Sequence, residues 1–185
     1  MKKFLMLICA VLLIIIGIGS WYIFKQFKAV KPPAAKPLLV YTFTNLKKTS
    51  FPATQISLGP ITGETADSFS QIFYFSVPKT PGSKILLKAS GLMNIPKKAG
   101  GYPVIVMFRG FVPDNIYKPG METQPSAAVF VSKGFITLAP DFLGYGESAS
   151  PSADPFENRF QTYVTALTLL SSSGVAVGDA TGPRA

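Results

Sequence analysis

The stretch PVIVMFRGF, residues Pro103–Phe111, is a run of bulky and β-branched apolar residues that stops at an arginine and a glycine. Near-continuous apolar runs of this kind are typical of parallel strands covered on both faces of a sheet. The run therefore predicts a central strand. Its abrupt end at Arg109 and Gly110 predicts a ligand-binding site there, because ligands of open α/β sheets bind outside the carboxyl ends of the strands.

The residues before this run predict several antiparallel strands. Three segments are rich in Thr, Tyr, Phe and Ile and are separated by Pro and Gly: LLVYTFTNL (38–46), SQIFYFSVP (70–78) and SKILLKASGLMNIP (83–96). The stretch VPKTPGSK (77–84) predicts a hairpin turn between the second and the third of these segments.

The residues after the run alternate between helix and strand patterns. TQPSAAVFVSKGF (123–135) has a proline suited to a first helical turn and a glycine suited to a helix end. GFITLAPD (134–141) predicts a second buried strand. DPFENRFQTYVTALTLLSS (154–172) predicts a helix capped by Asp154 and begun by Pro155. The fold class is therefore α/β, with antiparallel strands followed by β-α-β-α in a mixed sheet.

Four segments together resemble the N-terminal half of the α/β-hydrolase fold, over roughly residues 70–171. They are SGLMNIPKK (90–98), YPVIVMFRGF (102–111), AAVFVSKGFITLAPDFLGYGES (127–148) and FENRFQTYVTALTLL (156–170). More narrowly, they resemble the prolyl-oligopeptidase-type serine peptidases, including dipeptidyl-peptidase-like and acylaminoacyl-peptidase-like bacterial proteins. The most specific part is GFITLAPDFLGYGES. This resemblance implies an incomplete α/β-hydrolase sheet.

The resemblance implies an oxyanion hole just after the strand that ends at Gly110. Phe111 would supply a backbone N–H and Gly110 would give the main chain room to approach a ligand. Arg109 stands where many relatives of the wider fold carry histidine, and it either borders the pocket or merely solvates the end of a strand. Asp141 and Tyr145 are further candidates for the pocket edge.

Carboxylates in this part of the chain also have a structural interpretation. Asp141, Glu147, Asp154 and Glu157 lie in a loop and at a helix start, where carboxylates commonly cap helices and favour the helix dipole. We predict that structural use for the four residues. Gly144 and Gly146 are interpreted as loop formers.

No catalytic residues are predicted. This class of enzyme carries its nucleophile in G-x-S-x-G, followed by an acidic residue and a histidine. The chain has no G-x-S-x-G and no histidine, and no spacing suggests a Ser–Lys dyad. We expect a membrane-anchored serine hydrolase by descent, a peptidase or esterase, that is inactive as these 185 residues. The alternative is a membrane-tethered binding or interaction module without catalysis.

Cofactors, metals and nucleic acids are not expected. GYGESA (144–149) matches G-x-G-x-x-A, but Pro151 and Pro155 delay the helix that a dinucleotide-binding turn needs at once. Zinc sites use Cys and His, and the chain has a single Cys. The net charge of +9 comes from scattered lysines, with no basic stripe interleaved with aromatic residues.

The N-terminus predicts a membrane anchor, residues 1–24. Residues 4–24 carry no charge and would reach roughly 30 Å as a helix, enough to span a bilayer. A cleaved signal peptide is the alternative, but its apolar region is shorter, about 7–15 residues, and ends in small residues. Trp21 and Tyr22 stand near that end instead, as interfacial aromatics do.

Three further segments complete the predicted organisation. Residues 25–37 (KQFKAVKPPAAKP) form a stiff linker, and the half-hydrolase domain is expected over residues 38–173. Residues 174–185 are small, Gly- and Ala-rich and aperiodic, so we expect a disordered or aberrant tail. A large domain behind a short N-terminal tail can be translocated largely regardless of charge, so we expect the domain on the extracytoplasmic side.

Overall fold

The computed structural model describes residues 6, 12–22 and 37–176. The chain divides into two compact units, Met1–Lys36 and Pro37–Ala185. In the first unit residues 12–22 are helical, and no helix among the described residues is both long and apolar enough to cross a membrane. Half of the predicted anchor, nearly all of the linker and the tail from residue 177 lie outside the described residues.

The second unit begins with two short helical segments where a strand was predicted. A 3₁₀ turn covers Pro37–Tyr41 and helix α1 covers Phe43–Lys48. The strand predicted over residues 38–46 is therefore wrong. The side chains of Thr42 and Asn45 both donate hydrogen bonds to the Leu39 carbonyl, at 2.9 and 2.6 Å. Such local bonds compete with the ladder of a sheet.

Within the described residues, five strands form one mixed sheet in the order β1-β2-β3-β5-β4. They are β1 (Ser57–Glu64), β2 (Ser68–Pro78), β3 (Leu86–Pro96), β4 (Val104–Val106) and β5 (Ile136–Pro140). Neighbours are antiparallel from β1 through β3 to β5, and β4 is parallel to β5. The mixed α/β class is confirmed. Strand β1 was not predicted, because Gly59, Pro60 and Gly63 interrupt its apolar pattern.

The predicted hairpin joins β2 to β3. Their register is unbroken from Ser68 opposite Pro96 to Pro78 opposite Leu86, and the Lys79 N–H donates to the Ile85 carbonyl at 2.8 Å across the turn. Because side chains alternate between the two faces of a strand, this register decides which residues of the hairpin face each layer of helices.

Helices cover both faces of the sheet. Helix α3 (Pro155–Ala176) places the fully buried Leu169 on the face with Phe73 and Met93. Helix α2 (Gln124–Ser132) packs against β3 and β5. The residues just before α2 lie against Leu92, whose side chain points to the opposite face from Met93. The hydrophobic core around α3 comprises Phe73, Phe75, Val77, Ala89, Met93, Ile95, Ile136, Leu138, Leu143 and Leu169.

Within the described residues, the apolar run at Pro103–Phe111 does not take the central position that its composition predicted. Strand β4 has three residues, all half-buried, and it lies at the edge of the sheet that the described residues form. The central position between β3 and β4 belongs to β5, whose five residues are all buried. Order in the sheet is set by long-range pairing, so an apolar run alone does not determine it.

The predicted start of helix α3 is confirmed. The Asp154 carboxylate accepts hydrogen bonds from the N–H groups of Phe156 and Glu157, both at 2.9 Å. This is the N-cap geometry that satisfies donors in the first helical turn. The helix continues to Ala176, so it runs past residue 173, where the domain was predicted to end.

Candidate functional site

Two loops meet at one corner of the sheet. Because β4 and β5 are parallel, their carboxyl ends lie at the same edge. The pairing continues for one more residue, since the Met107 N–H donates to the Leu138 carbonyl at 2.8 Å. Residues 109–111 follow the first strand and residues 141–145 follow the second. The topology therefore brings together segments that lie about 30 residues apart in sequence.

Arg109 is fixed at this corner by two rings and two carbonyls. Its guanidinium lies 4.4 Å from the centroid of the Tyr117 ring and 4.1 Å from that of Tyr145. Nη2 donates to the backbone carbonyl of Asp141 at 3.0 Å and Nη1 to the carbonyl of Gly110 at 2.9 Å. Nε is buried and has no hydrogen-bond partner within the described part of the chain. Stacking and the two hydrogen bonds therefore fix the guanidinium in direction.

Asp141 is fully buried behind Arg109. Its Oδ2 accepts a hydrogen bond from Ser90 Oγ at 2.5 Å, and its Oδ1 accepts one from the Tyr117 hydroxyl at 2.6 Å. Burial raises the pKa of Asp141, although these two hydrogen bonds and the nearby Arg109 act in the opposite direction. The carboxylate of Asp141 thus has a structural use, in which its two oxygens bond a strand and a loop and do not cap a helix.

Tyr117 links the carboxylate to the arginine. Its ring stacks on Arg109 while its hydroxyl donates to Asp141. Burial, followed by the hydrogen bond to Asp141, raises the pKa of Tyr117. The phenol therefore stays protonated and remains a hydrogen-bond donor at any ordinary pH.

Ser90 ties the second loop to strand β3. Besides donating to Asp141, its Oγ accepts the N–H of Glu147 at 2.9 Å. The Ser90 N–H in turn donates to Ser148 Oγ at 2.9 Å. Because Ser90 is fully buried and its hydroxyl is occupied by these bonds, it organises the loop and is not placed to attack a substrate.

Glycines allow the loop to fold over the carboxylate. Gly144 and Gly146 have φ of 82° and 55°, which confirms their interpretation as loop formers. A Cβ at Gly146 would overlap the Asp141 carboxylate. Close approach as well as a left-handed backbone therefore requires glycine at this position.

The two oxyanion-hole candidates lie at the solvent side of the corner. The Phe111 side chain is 77% exposed, and its N–H makes no hydrogen bond with any residue that the structure describes. Two non-glycine residues near this corner, Glu122 and Phe142, have positive φ, 68° and 65°. Such conformations are costly for residues with side chains and are concentrated at functional sites.

The structure adds two residues that sequence analysis missed. Ser90 and Tyr117 bond Asp141 from separations of 51 and 24 residues. A polar residue inside the apolar strand β3 was the only signal for Ser90, and the loop that carries Tyr117 has no periodic pattern. Within the described residues, no group of three or more Cys, His, Asp or Glu side chains could hold a metal ion.

Comparisons with known proteins give structural similarities only. No protein-family profile matches the chain, and no curated protein matches it. Acetyl xylan esterase 1 from Thermoanaerobacterium sp. JW/SL YS485 is similar in structure, with a TM-score of 0.49 and 15% identity over 78% of this chain and 47% of that chain.

A second similar structure is LipA, a rice cell wall degrading esterase from Xanthomonas oryzae. Its ligand-bound form has a TM-score of 0.40 and 14% identity over 68% of this chain and 38% of that chain. This chain thus spans less than half the length of both structures. At these identities and TM-scores, no conclusion about family or activity follows from the likeness.

Proposed function

We propose that residues 70–171 are the N-terminal half of an α/β-hydrolase domain and that Gly110 and Phe111 form part of its oxyanion hole. One observation supports this most directly. The Phe111 N–H, without an acceptor in the described chain, lies at the carboxyl end of β4 beside the fixed Arg109. Donors that are oriented before charge develops stabilise an oxyanion without reorganisation.

The reaction class proposed is acyl transfer, by a peptidase or an esterase. The resemblance of GFITLAPDFLGYGES (134–148) favours the prolyl-oligopeptidase type. Since the chain has neither histidine nor G-x-S-x-G, we propose that these residues alone do not hydrolyse an ester. The hydroxyls closest to the buried carboxylate belong to Ser90 and Tyr117, and both are occupied as donors to it.

The proposal of inactivity is tested with a serine-directed fluorophosphonate probe and with p-nitrophenyl acetate. We expect no covalent labelling and no hydrolysis above the buffer rate, because no imidazole is present to take a proton from a serine. Ser90→Ala and Ser148→Ala serve as matched variants. Labelling or turnover that either substitution abolishes would contradict the proposal.

The oxyanion hole is tested by titrating the chain with methylphosphonate, an anion whose tetrahedral oxygens resemble the charged intermediate. Gly–Phe occurs only at 110–111 and 134–135, so labelling glycine with ¹³C-carbonyl and phenylalanine with ¹⁵N selects two amide signals. We expect the Phe111 signal to shift. The Phe135 N–H already donates to the Phe130 carbonyl and is the internal control. No shift at Phe111 would count against the oxyanion hole.

We also propose that residues 4–24 anchor the chain in a bilayer with the domain extracytoplasmic. The support is the uncharged apolar run and the aromatic residues at its end. The mass of the protein recovered from membranes distinguishes the alternatives. An anchor keeps the full 19.9 kDa, a cleaved signal peptide shortens the chain, and protease protection in inverted vesicles reports the side on which the domain lies.

A membrane-tethered binding module is the second candidate. It is favoured by the complete absence of histidine from a chain whose corner is nevertheless fully organised around Asp141. Translating the DNA downstream in all three frames separates the two candidates. A strand that ends in G-x-S-x-G, followed by an acidic residue and a histidine, supports the hydrolase, and its absence supports the binding module.

A further inference from the structure

We propose that Arg109 is a positioning residue that fixes the direction of the Phe111 N–H. The proposal rests on the oxyanion hole proposed above, because that N–H is the donor it would present to developing charge. It assigns to the Arg109 side chain a role distinct from solvating the end of a strand.

The Gly110–Phe111 peptide bond couples the Arg109 side chain to the direction of the Phe111 N–H. The Gly110 carbonyl and the Phe111 N–H belong to the same peptide group, and the described chain contains no cis peptide bond. In a trans peptide the C=O and the N–H lie in one plane and point in opposite directions. Holding the Gly110 oxygen with Arg109 Nη1 at 2.9 Å therefore directs the Phe111 N–H away from the guanidinium.

A second contact holds the other side of Phe111. The Tyr145 hydroxyl donates to the Val112 carbonyl at 2.9 Å, while the Tyr145 ring stacks on Arg109. The carbonyls of Gly110 and Val112, the residues before and after Phe111, are thus bonded to two side chains that contact each other. Glycine at position 110 leaves the backbone free to adopt many conformations. The side chains of Arg109 and Tyr145 restrict that freedom.

Arg109 can fix the peptide because it is itself fixed. Tyr117 and Tyr145 lie against its guanidinium, Nη2 donates to the Asp141 carbonyl, and the Tyr117 hydroxyl is bonded to the Asp141 carboxylate. A planar guanidinium can stack and still donate from two nitrogens at once. Lysine carries three N–H donors on one nitrogen and has no planar fork, so it does not combine stacking with two directed carbonyl contacts.

The experiment measures backbone order at Phe111 in the full chain in detergent micelles. The Gly–Phe labelling described above reports Phe111 and Phe135 alone, and ¹⁵N relaxation gives an order parameter for each N–H. In the wild type we expect order parameters of about 0.85 for both the Phe111 and the Phe135 N–H, as in rigid backbone. In Arg109→Lys we expect Phe111 to fall below about 0.6, as in flexible backbone, with Phe135 unchanged.

The matched control is Arg159→Lys on the exposed surface of α3, which we expect to change neither signal. If Arg109→Lys and Arg109→Ala both leave Phe111 as ordered as in the wild type, the positioning role is overturned. Titration with methylphosphonate tests the oxyanion hole independently of the backbone order at Phe111. An ordered Phe111 that loses order in the variant but never responds to the anion supports positioning and contradicts the oxyanion hole.

The reverse outcome is equally informative. A Phe111 that shifts with the anion in both wild type and Arg109→Lys, with unchanged order, supports the oxyanion hole and overturns positioning. If the Arg109 variants unfold, the Phe135 signal is lost, and the proposal is then tested on the wild-type protein by the Nη signals of its arginines. The chain has three arginines, so the NMR signals of their Nη groups are few. Separate signals for the two Nη groups of Arg109, with a single averaged signal for Arg159, would show a fixed Arg109 guanidinium and support the proposal. A single averaged signal for Arg109 would overturn it.

Discussion

At the scale of single residues, Asp141 shows how one buried carboxylate organises the corner where β4 and β5 end. Its two oxygens are bonded to Ser90 and Tyr117, and its backbone carbonyl is bonded to Arg109. Burying a charge is costly unless hydrogen bonds compensate it. The folded corner therefore depends on the protonation of this carboxyl, and its stability should depend on pH.

Replacing Asp141 by Asn should remove that pH dependence. Burial raises the pKa of Asp141 from its ordinary value of 3.8, and the negative charge of Glu147 acts in the same direction. The hydrogen bonds from Ser90 and Tyr117 and the charge of Arg109 lower the pKa but do not cancel the effect of burial. The native state then holds this proton more tightly than the unfolded chain, so the carboxyl weakens stability as the pH rises through 3.8 towards the native pKa. Urea unfolding across the acid range measures the effect.

We expect the free energy of unfolding of the wild type, relative to Asp141→Asn, to fall as the pH rises through that window. Asp67→Asn is the matched control, because Asp67 is exposed in a turn. A difference between wild type and Asp141→Asn that stays constant, or that grows in favour of the wild type with rising pH, would contradict the raised pKa.

Gly146→Ala should be more destabilising than a left-handed glycine elsewhere. Gly82 has φ of 75° and open space around its Cβ position, whereas Gly146 faces the Asp141 carboxylate. Gly82→Ala should cost about 1–2 kcal/mol from backbone strain alone. Gly146→Ala should cost about 1–3 kcal/mol more, from overpacking. Chemical denaturation of both variants measures the difference, and equal costs would show that the carboxylate yields without penalty.

At the scale of elements, helix α3 is defined by its first turn. Asp154 caps it with two hydrogen bonds, and Glu157 in the same turn bonds Ser152 and Tyr41. These contacts place the start of the helix against the loop before it and against the 3₁₀ turn at the beginning of the domain.

Asp154→Ala should cost about 1 kcal/mol of stability, the typical value for a lost N-cap. Asp67→Ala removes an equal charge from a side chain that makes no hydrogen bond within the described residues, and we expect a change below about 0.5 kcal/mol. The midpoints of urea unfolding compare the two variants. The capping role would be refuted by equal effects.

At the scale of the whole molecule, the domain is stabilised where α3 packs on the sheet. Leu169 is fully buried among residues of β2, β3 and β5, whereas the next residue, Leu170, is 49% exposed. The sheet itself is organised from β1 to β5, and β4 is held on one side by β5 within the described residues.

Leu169→Ala should destabilise the protein by about 2–5 kcal/mol, because it removes buried methyl groups and leaves a cavity in the core. Leu170→Ala, one residue along the same helix, should cost less than about 1 kcal/mol. Circular dichroism during denaturation gives both values. Similar losses in the two variants would mean that α3 is not docked on the sheet as described.

Local chemistry in the sequence determined the helices at 124–132 and 155–176, the β2–β3 hairpin and the buried strand β5. Each depends on a cap, a turn or an apolar pattern within a few neighbouring residues. The strand predicted at 38–46 was wrong because side-chain hydrogen bonds favour helical turns there. The central position predicted for the apolar run was wrong within the sheet that the described residues form, where β4 lies at the edge.

Only the tertiary structure decided the order of the strands and the contacts of the corner. Residues 109–111 follow β4 at the edge of the sheet where β4 and β5 end, and their role at a ligand site stays a prediction. The contact of Arg109 with the Tyr117 ring and the hydrogen bond from Ser90 to Asp141 join residues that are not neighbours in the chain. Such contacts follow from which strand ends meet, and that is fixed by burial of the whole sheet between its helices.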